Sequence, residues 1–556
     1  MSPQRLVIVG GVAGGASAAA RARRLSETAD IIVFERGPHV SFANCGLPYH
    51  VGGEIAERDA LLLQTPQSLR ARFNLDVRVR TEVQAVDRAR RCVQVRDLDS
   101  GREYDQSYDA LILAPGAAPL RPPIPGLERE GHFTVRDVPD ADRIKAWVRE
   151  RRPRRAVVVG GGYIGLELVE QLVHAGLEVS LAEALPQVMS ALDREMAAWL
   201  HAELRANHVA LHLGDAVAAF EAPAAGESAA ASVVVLKSGK RLPADLVILG
   251  LGVKPEVGLA RQAGLETGKL GGIRVDDHLR TSDPHIWAVG DAIEVRHAVL
   301  GDWAVIPLAG PANRQGRIAA DNIFGRPTRY AGTYGTAVIR LFRLTAACTG
   351  ATQTALERIG RPFQALHLHP GSHAGYYPGA QPIAVKILFD PENGRLLGAQ
   401  AVGSDGVDKR MDVLATALRA GMSVNDLAEL ELCYAPPIGA AKDPVNLAGM
   451  AAQNVLRGDV ALAQWNEIAR LDPAQTVVLD VRSATERQAG HIPGSLHVPL
   501  PELRARVGEL PRDREIVVSC QSGQRSYFAA RFLTQRGFKV RNLTGSYRTW
   551  KTATAG

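Results

Sequence analysis

The 556-residue sequence contains no Cys-x-x-Cys pair. Its five cysteines, Cys45, Cys92, Cys348, Cys433 and Cys520, are odd in number and far apart. Such spacing argues against a disulfide framework or a tetrahedral zinc site, and it fits free thiols in a reducing compartment. The histidines offer no ligand spacing either. His369 and His373 are four apart, but Pro370 and Gly371 between them make a loop, so no metal is expected. No apolar run reaches about 18 residues, so no membrane span is expected. Met1-Ser2-Pro3-Gln4-Arg5 leads straight into a strand, which leaves no room for a signal peptide and makes the cytoplasm the expected compartment. The net charge of +6 comes without a lysine-rich tail, and the basic residues are scattered. Small anions carrying phosphates are therefore expected as partners, and nucleic acid is not.

Glycine-rich turns are what the chain does have. Leu6-Val7-Ile8-Val9 is an apolar strand that turns through Gly10, Gly11, Gly14 and Gly15 into an alanine-rich helix. Backbone amides and the positive end of that helix can hold a pyrophosphate. Against Gly-x-Gly-x-x-Gly, Gly10 and Gly15 are in place and Val12 stands where the middle glycine belongs. Glu35, at the end of the strand Ile31-Ile32-Val33-Phe34, is positioned for a ribose hydroxyl. The second turn, after Ala156-Val157-Val158-Val159, keeps Gly160, Gly162 and Gly165. Its following strand ends at Glu183, whose carboxylate accepts from a 2′-hydroxyl and repels a 2′-phosphate, so NADH is expected rather than NADPH. Two such folds imply two dinucleotides, a flavin and a nicotinamide.

Between them lies Ser41-Phe42-Ala43-Asn44-Cys45-Gly46-Leu47-Pro48-Tyr49. It resembles the Ser-Phe-x-x-Cys motif of the single-cysteine, flavin-dependent pyridine nucleotide–disulfide oxidoreductases, and the coenzyme A-disulfide reductase branch in particular. Thr281-Ser282-Asp283-Pro284-His285-Ile286-Trp287-Ala288-Val289-Gly290-Asp291 looks like that family's second flavin fingerprint, with Gly290 and Asp291 at the ribityl chain. The resemblance implies FAD, a nicotinamide and coenzyme A as cofactors, and a homodimer built by the residues that follow. It also implies a pair of active-site tyrosines. These match Tyr434 and Tyr376, with Tyr377 an open alternative to Tyr376. Ser41 and Asn44 would orient the thiol or a pantetheine arm, and Arg21, Arg23 and Arg24 are candidate cations for coenzyme A phosphates.

The last 90 or so residues run through Asp480-Val481-Arg482 and the strand Glu515-Ile516-Val517-Val518-Ser519 to Cys520-Gln521-Ser522-Gly523-Gln524-Arg525-Ser526. A cysteine after a buried strand, on a loop closed by an arginine and a helix start, places sulfur in a bowl of amides that lowers its pKa. This stretch resembles a rhodanese sulfurtransferase domain, with Cys520 as persulfide carrier and Arg525 closing the loop. Cys92 and Cys348 read as packing residues.

The expected fold class is α/β: two Rossmann-like dinucleotide-binding domains, an α+β dimerisation domain and a C-terminal α/β rhodanese domain. The expected boundaries are 1–115 with 245–325 for FAD, 116–244 for NAD, 326–452 for the interface domain and 465–556 for rhodanese, with a flexible linker or a partner subunit needed to bring the Cys45 and Cys520 sites together. With one cysteine in the motif, the oxidised form of Cys45 must be a mixed disulfide, a persulfide or a sulfenic acid. The expected function is NADH-dependent reduction of a persulfide or polysulfide at Cys45, with Cys520 carrying sulfane sulfur. Reduction of coenzyme A disulfide, NADH oxidase or peroxidase activity, and sulfur delivery to a partner protein are the alternatives.

Overall fold

The computed structural model describes residues 4–223 and 231–555. They form two compact units, one running to Pro186 and resuming over His208–Gly335, the other comprising Gln187–Asn207 and everything from Thr336 on.

The first unit is built on two parallel five-stranded sheets of the same design. One has the order Ile286–Ala288, Ala110–Leu113, Arg5–Val9, Asp30–Phe34, Asp76–Arg78. The other has the order Ala210–Leu213, Glu178–Glu183, Arg155–Val159, Leu246–Leu249, His132–Phe133. Strands covered on both faces read as unbroken apolar runs, and Leu6, Val7, Ile8, Leu111 and Ile112 are completely buried. The helix Ala13–Leu25 is rich in alanine and glycine because it packs closely on the helix Ala309–Ile323. A Cβ on Gly316 would collide with the Gly14 carbonyl. The expected boundary at 245 falls one strand early. Leu246–Leu249 pairs in parallel with Arg155–Val159, so the second sheet takes its returning strand before the chain crosses back at Val253–Pro255, which pairs with Ala117–Pro119.

The second unit contains an antiparallel sheet ordered Ala337–Leu341, Leu344–Gly350, Leu396–Gly403, Ala384–Phe389, Gln364–Leu368. Helices Val407–Ala420, Val424–Glu429 and Pro444–Leu456 accompany it. Helix Arg194–Ala206, expected within the NAD-binding span, belongs to this unit. Its reason is electrostatic. Lys386, with no exposed surface, lies 2.5 Å from Glu195 and 2.8 Å from Asp193, and His367 Nε2 lies 2.9 Å from Glu195. A buried ammonium needs such partners, and the excursion carrying Asp193 and Glu195 supplies them.

The C-terminal sheet is wholly parallel, ordered Ala461–Ala463, Val540–Leu543, Glu515–Ser519, Thr476–Asp480, Leu496–His497. Its edge strand begins at Ala461. Residues 457–460 separate the helix Pro444–Leu456 from that edge strand. The C-terminal domain is bonded directly to the antiparallel sheet, through Gln464 Nε2 to the Ala365 carbonyl at 2.9 Å and His367 N–H to Thr544 Oγ1 at 2.7 Å.

Candidate active sites at Cys45 and Cys520

A cavity of about 460 Å³ opens along the first glycine turn, lined by Val12, Glu35, Asn44, Gly116 and Asp291 among others. The turn is made by Gly10, at φ +97°, where a Cβ would strike the Ala114 carbonyl, and by Gly15, where one would strike the Gly10 carbonyl. Glu35 accepts the amides of Gly11 at 2.9 Å and Gly37 at 2.8 Å, which holds its carboxylate at the lip of the turn. Asp291 sits in the cavity with no protein donor to its carboxylate among the described residues, and burial pushes its pKa up. An acid left without a donor beside a pyrophosphate-type turn fits the hydroxyl-rich chain of FAD.

The second turn repeats the first. Gly161 N–H donates to Glu183 Oε2 at 2.6 Å and Leu185 N–H to Oε1 at 2.8 Å. A Cβ on Gly165 would collide with the Gly160 carbonyl, whereas one on Gly162 would meet no protein atom within 4 Å. The middle glycine therefore leaves room for something other than protein, as close approach of a pyrophosphate requires.

Cys45 lies in the single turn Asn44–Gly46 ahead of the helix Leu47–Val51 and is open to solvent. Ser41 N–H bonds to the Gly11 carbonyl at 2.9 Å, which ties the cysteine loop to the glycine turn. Desolvation first, then the carboxylates of Glu167 and Asp291, hold the Cys45 thiol above its ordinary pKa. Tyr49, four residues on, donates to Glu167 at 3.2 Å. The arginines upstream do not form a free cationic face. Arg21 is paired with Asp321 at 2.6 Å in a largely buried bridge. Arg23 is 4% exposed and donates to the carbonyls of Ser26, Glu27, Phe73 and Asn74, so its role is structural. Arg24 alone is exposed.

In the second unit the hydroxyls of Tyr376 and Tyr434 are 2.6 Å apart, and sharing that bond raises the Tyr434 pKa. Tyr377 instead packs edge-on against His373. Of the two neighbours, Tyr376 is thus the one joined to Tyr434. Cys433 is exposed beside them, while Cys92 and Cys348 are buried in strands.

Cys520 is completely buried at the end of the strand Glu515–Ser519, and the Gly523 amide points at its sulfur at 3.1 Å. Burial alone would raise this thiol. The Ser526 hydroxyl and the amides of Ser526, Ser522 and Gly523 outweigh burial and bring the pKa below its ordinary value. Arg525 is held in a two-pronged pair with Glu486, at 2.8 and 2.5 Å, which drives that carboxyl down to about 2. The loop is therefore lined by dipoles, with its cation already matched.

Residues 4–316 match the family described as pyridine nucleotide-disulphide oxidoreductase, 336–443 its dimerisation domain, and 465–553 the rhodanese-like domain. The chain belongs to the pyridine nucleotide-disulphide oxidoreductase family. A coenzyme A disulfide reductase of Staphylococcus haemolyticus is 33% identical over 453 residues, 81% of this chain and 100% of that protein. The reduced "CoADR-RHD" of Bacillus anthracis is 48% identical with a TM-score of 0.97, covering 100% of this chain and 99% of that one. An NAD-dependent persulfide reductase from A. fulgidus is 37% identical with a TM-score of 0.91, covering 98% and 100%. Membership makes the chain a flavoprotein oxidoreductase that uses FAD and NAD(P)H and carries a rhodanese-like domain. Among the described residues no helix is long and apolar enough to cross a membrane.

Two groups in these oxidoreductase sites escaped the sequence reading. Glu167 stands immediately after Gly165-Leu166 in the second turn, but nothing local signals that it reaches the Cys45 environment. Ser526 follows Arg525 in the Cys520 loop, and its hydroxyl supplies the largest of the bonds that favour the thiolate.

Proposed function

We propose that the enzyme uses NADH to reduce persulfides, coenzyme A persulfide or polysulfide among them, to thiol and hydrogen sulfide at Cys45, with Cys520 carrying the sulfane sulfur. The observation that carries this reading is the pairing, in one chain, of two lone thiols in opposite environments. Cys45 is open to solvent in the single turn Asn44–Gly46, while Cys520 is buried with the Gly523 amide at its sulfur. A thiol of lower pKa leaves faster, and one of higher pKa is the stronger nucleophile once ionised. The lowered pKa of Cys520 makes it the better leaving group when an acceptor thiolate attacks its persulfide.

In the first exchange an acceptor thiolate attacks the outer sulfur of the Cys520 persulfide, and the Cys520 thiolate departs with the bonding pair. In the second, Cys45 attacks the resulting small persulfide. Attack on the inner sulfur releases hydrosulfide and leaves a mixed disulfide, and attack on the outer sulfur releases thiol and leaves a Cys45 persulfide. Bound FAD supplies the two-electron relay between the nicotinamide and that sulfur–sulfur bond. The sum is persulfide, NADH and a proton giving thiol, hydrogen sulfide and NAD⁺. Glu35 and Asp291 would hold hydroxyls of FAD, Gly10 and Gly15 its pyrophosphate, and Glu183 with Gly160, Gly162 and Gly165 the NADH. Ser41 and Asn44 flank the thiol. We assign the proton for the departing sulfur to the Tyr376–Tyr434 pair, in keeping with a homodimer. Arg24 is the arginine of the first helix left for a coenzyme A phosphate.

A second reading, reduction of coenzyme A disulfide, draws on the staphylococcal relatives and needs only Cys45. Anaerobic NADH oxidation with coenzyme A persulfide, polysulfide and coenzyme A disulfide in parallel tests both. Fast persulfide turnover with sulfide release supports the proposal, and turnover confined to the disulfide replaces it with the second reading.

A further inference from the structure

Three consecutive residues of the rhodanese-like domain, Thr544, Gly545 and Ser546, touch the dimerisation sheet on one side and the Cys520 loop on the other. On the sheet side, Thr544 Oγ1 accepts the His367 N–H at 2.7 Å and faces the His367 carbonyl at 3.3 Å, so the hydroxyl takes the place of a strand partner. Gly545, at φ +65°, lies so close that a Cβ there would come within 2.8 Å of the His367 Cβ. On the loop side, Ser546 Oγ accepts the Cys520 N–H at 3.0 Å and lies 3.2 Å from Ser526 Oγ. The first turn of the helix Ser546–Thr554 then donates Tyr547 N–H to the Cys520 carbonyl and Arg548 N–H to the Gln521 carbonyl, both at 3.1 Å. Thr544 and Ser546 are 1% and 0% exposed.

We propose that the dimerisation domain positions the sulfur-carrying loop, with Thr544 as the positioning residue that transmits the register of strand Gln364–Leu368 to Cys520 through Ser546. The strand is itself anchored: His367 is bonded to Glu195, which shares the buried Lys386. A second tie, His369 Nε2 to Thr549 Oγ1 at 2.8 Å, fixes the same helix one turn further on. Gly523, whose amide points at the Cys520 sulfur, accepts from Ser526 Oγ at 3.0 Å, and Ser526 sits against Ser546, so a shift at Thr544 reaches the groups that hold the thiolate. The charged groups near this loop are already matched or turned to backbone. Arg525 pairs with Glu486, and Arg482 and Arg487 pair with Asp480. Beyond those charges, the thiol depends on the dipole geometry of its loop, and so on backbone placement.

The inference rests on Cys520 being the reactive thiol of the rhodanese-like domain, and not on which persulfide the enzyme reduces. The test is the pH dependence of Cys520 alkylation by iodoacetamide in the full chain, with Cys45→Ser and Cys433→Ser in the background and peptide mapping to assign the site. Thr544→Val keeps the volume and removes the hydroxyl. It is expected to slow alkylation at neutral pH by about three- to tenfold and move the midpoint upward, while Thr544→Ser restores both. Flavin content and NADH-dependent flavin reduction, measured with Cys45 present, stay at the parent level. Should Thr544→Val fail to fold, Thr549→Val carries the test with a smaller shift in the same direction. A midpoint and rate equal to the parent's in the folded variant would overturn the inference. A Cys520 that resists alkylation in parent and variants alike, at every pH, would overturn its reactive role instead.

Discussion

Glu183→Gln should relax the preference for NADH over NADPH. The carboxylate is fixed by the Gly161 and Leu185 amides at 2.6 and 2.8 Å, so it cannot swing away from a ligand seated on the second glycine turn. A 2′-phosphate oxygen about 4 Å from it would meet a repulsion of about 4 kcal/mol at an effective dielectric near 20. Glu183 is half-buried, and screening by solvent brings this to about 1–2 kcal/mol, or roughly 5- to 30-fold in kcat/KM. The amide variant keeps one oxygen for Gly161 N–H, so the NADH value should fall only a few-fold. Stopped-flow reduction of the bound flavin by each nucleotide gives the ratio directly. An NADH-to-NADPH ratio unchanged from the parent would refute the argument that this carboxylate sets the choice.

Other perturbations probe the remaining parts. Ser526→Ala removes the leading hydrogen bond to the Cys520 sulfur; such bonds to charged groups contribute about 1.5–3 kcal/mol, so the alkylation midpoint should rise by about 1–2 pH units. Because the parent pKa is depressed, the loss of rate appears at neutral pH and vanishes above the variant's pKa. Tyr376→Phe should lower turnover by about 10²-fold, while Tyr377→Phe leaves kcat unchanged. Glu195→Gln removes one of the two carboxylates paired with the buried Lys386, with Asp193 remaining at 2.8 Å, and should cost about 1–3 kcal/mol, read as an earlier unfolding transition by near-ultraviolet circular dichroism. Burial alone would raise the Glu195 carboxyl, but Lys386 and His367 bring it below the usual range. Its contribution is therefore present above the unfolded carboxylate pKa and is lost as pH falls.

What could be read from sequence was what the chain encodes at short range. Gly15 and Gly165 are forced by the collision of any side chain with the Gly10 and Gly160 carbonyls a few residues back in the same turn, so spacing alone reveals them. Glu35 and Glu183 close those turns by bonding amides of the same motif. Cys520 is recognisable because its donors come from the six residues that follow it. Long-range assignments fared differently. Arg21 and Arg23 look like neighbours of Arg24 on one basic helix, yet one is paired with Asp321 and the other caps carbonyls near Asn74. No local pattern announces those partners. The helix Arg194–Ala206 lies amid dinucleotide-domain sequence, and only the convergence of Asp193, Glu195, His367 and Lys386 from three separate segments explains where it packs.

The account turns on Cys45 as the thiol through which NADH electrons reach sulfane sulfur. The most direct measurement is hydrogen sulfide released per NADH oxidised, under anaerobic conditions, from coenzyme A persulfide by the parent enzyme and by Cys45→Ser at equal flavin content. The account predicts one sulfide per NADH in the parent, and in the variant no release above the uncatalysed reaction although the flavin is still reduced. Full sulfide release by the variant would contradict it.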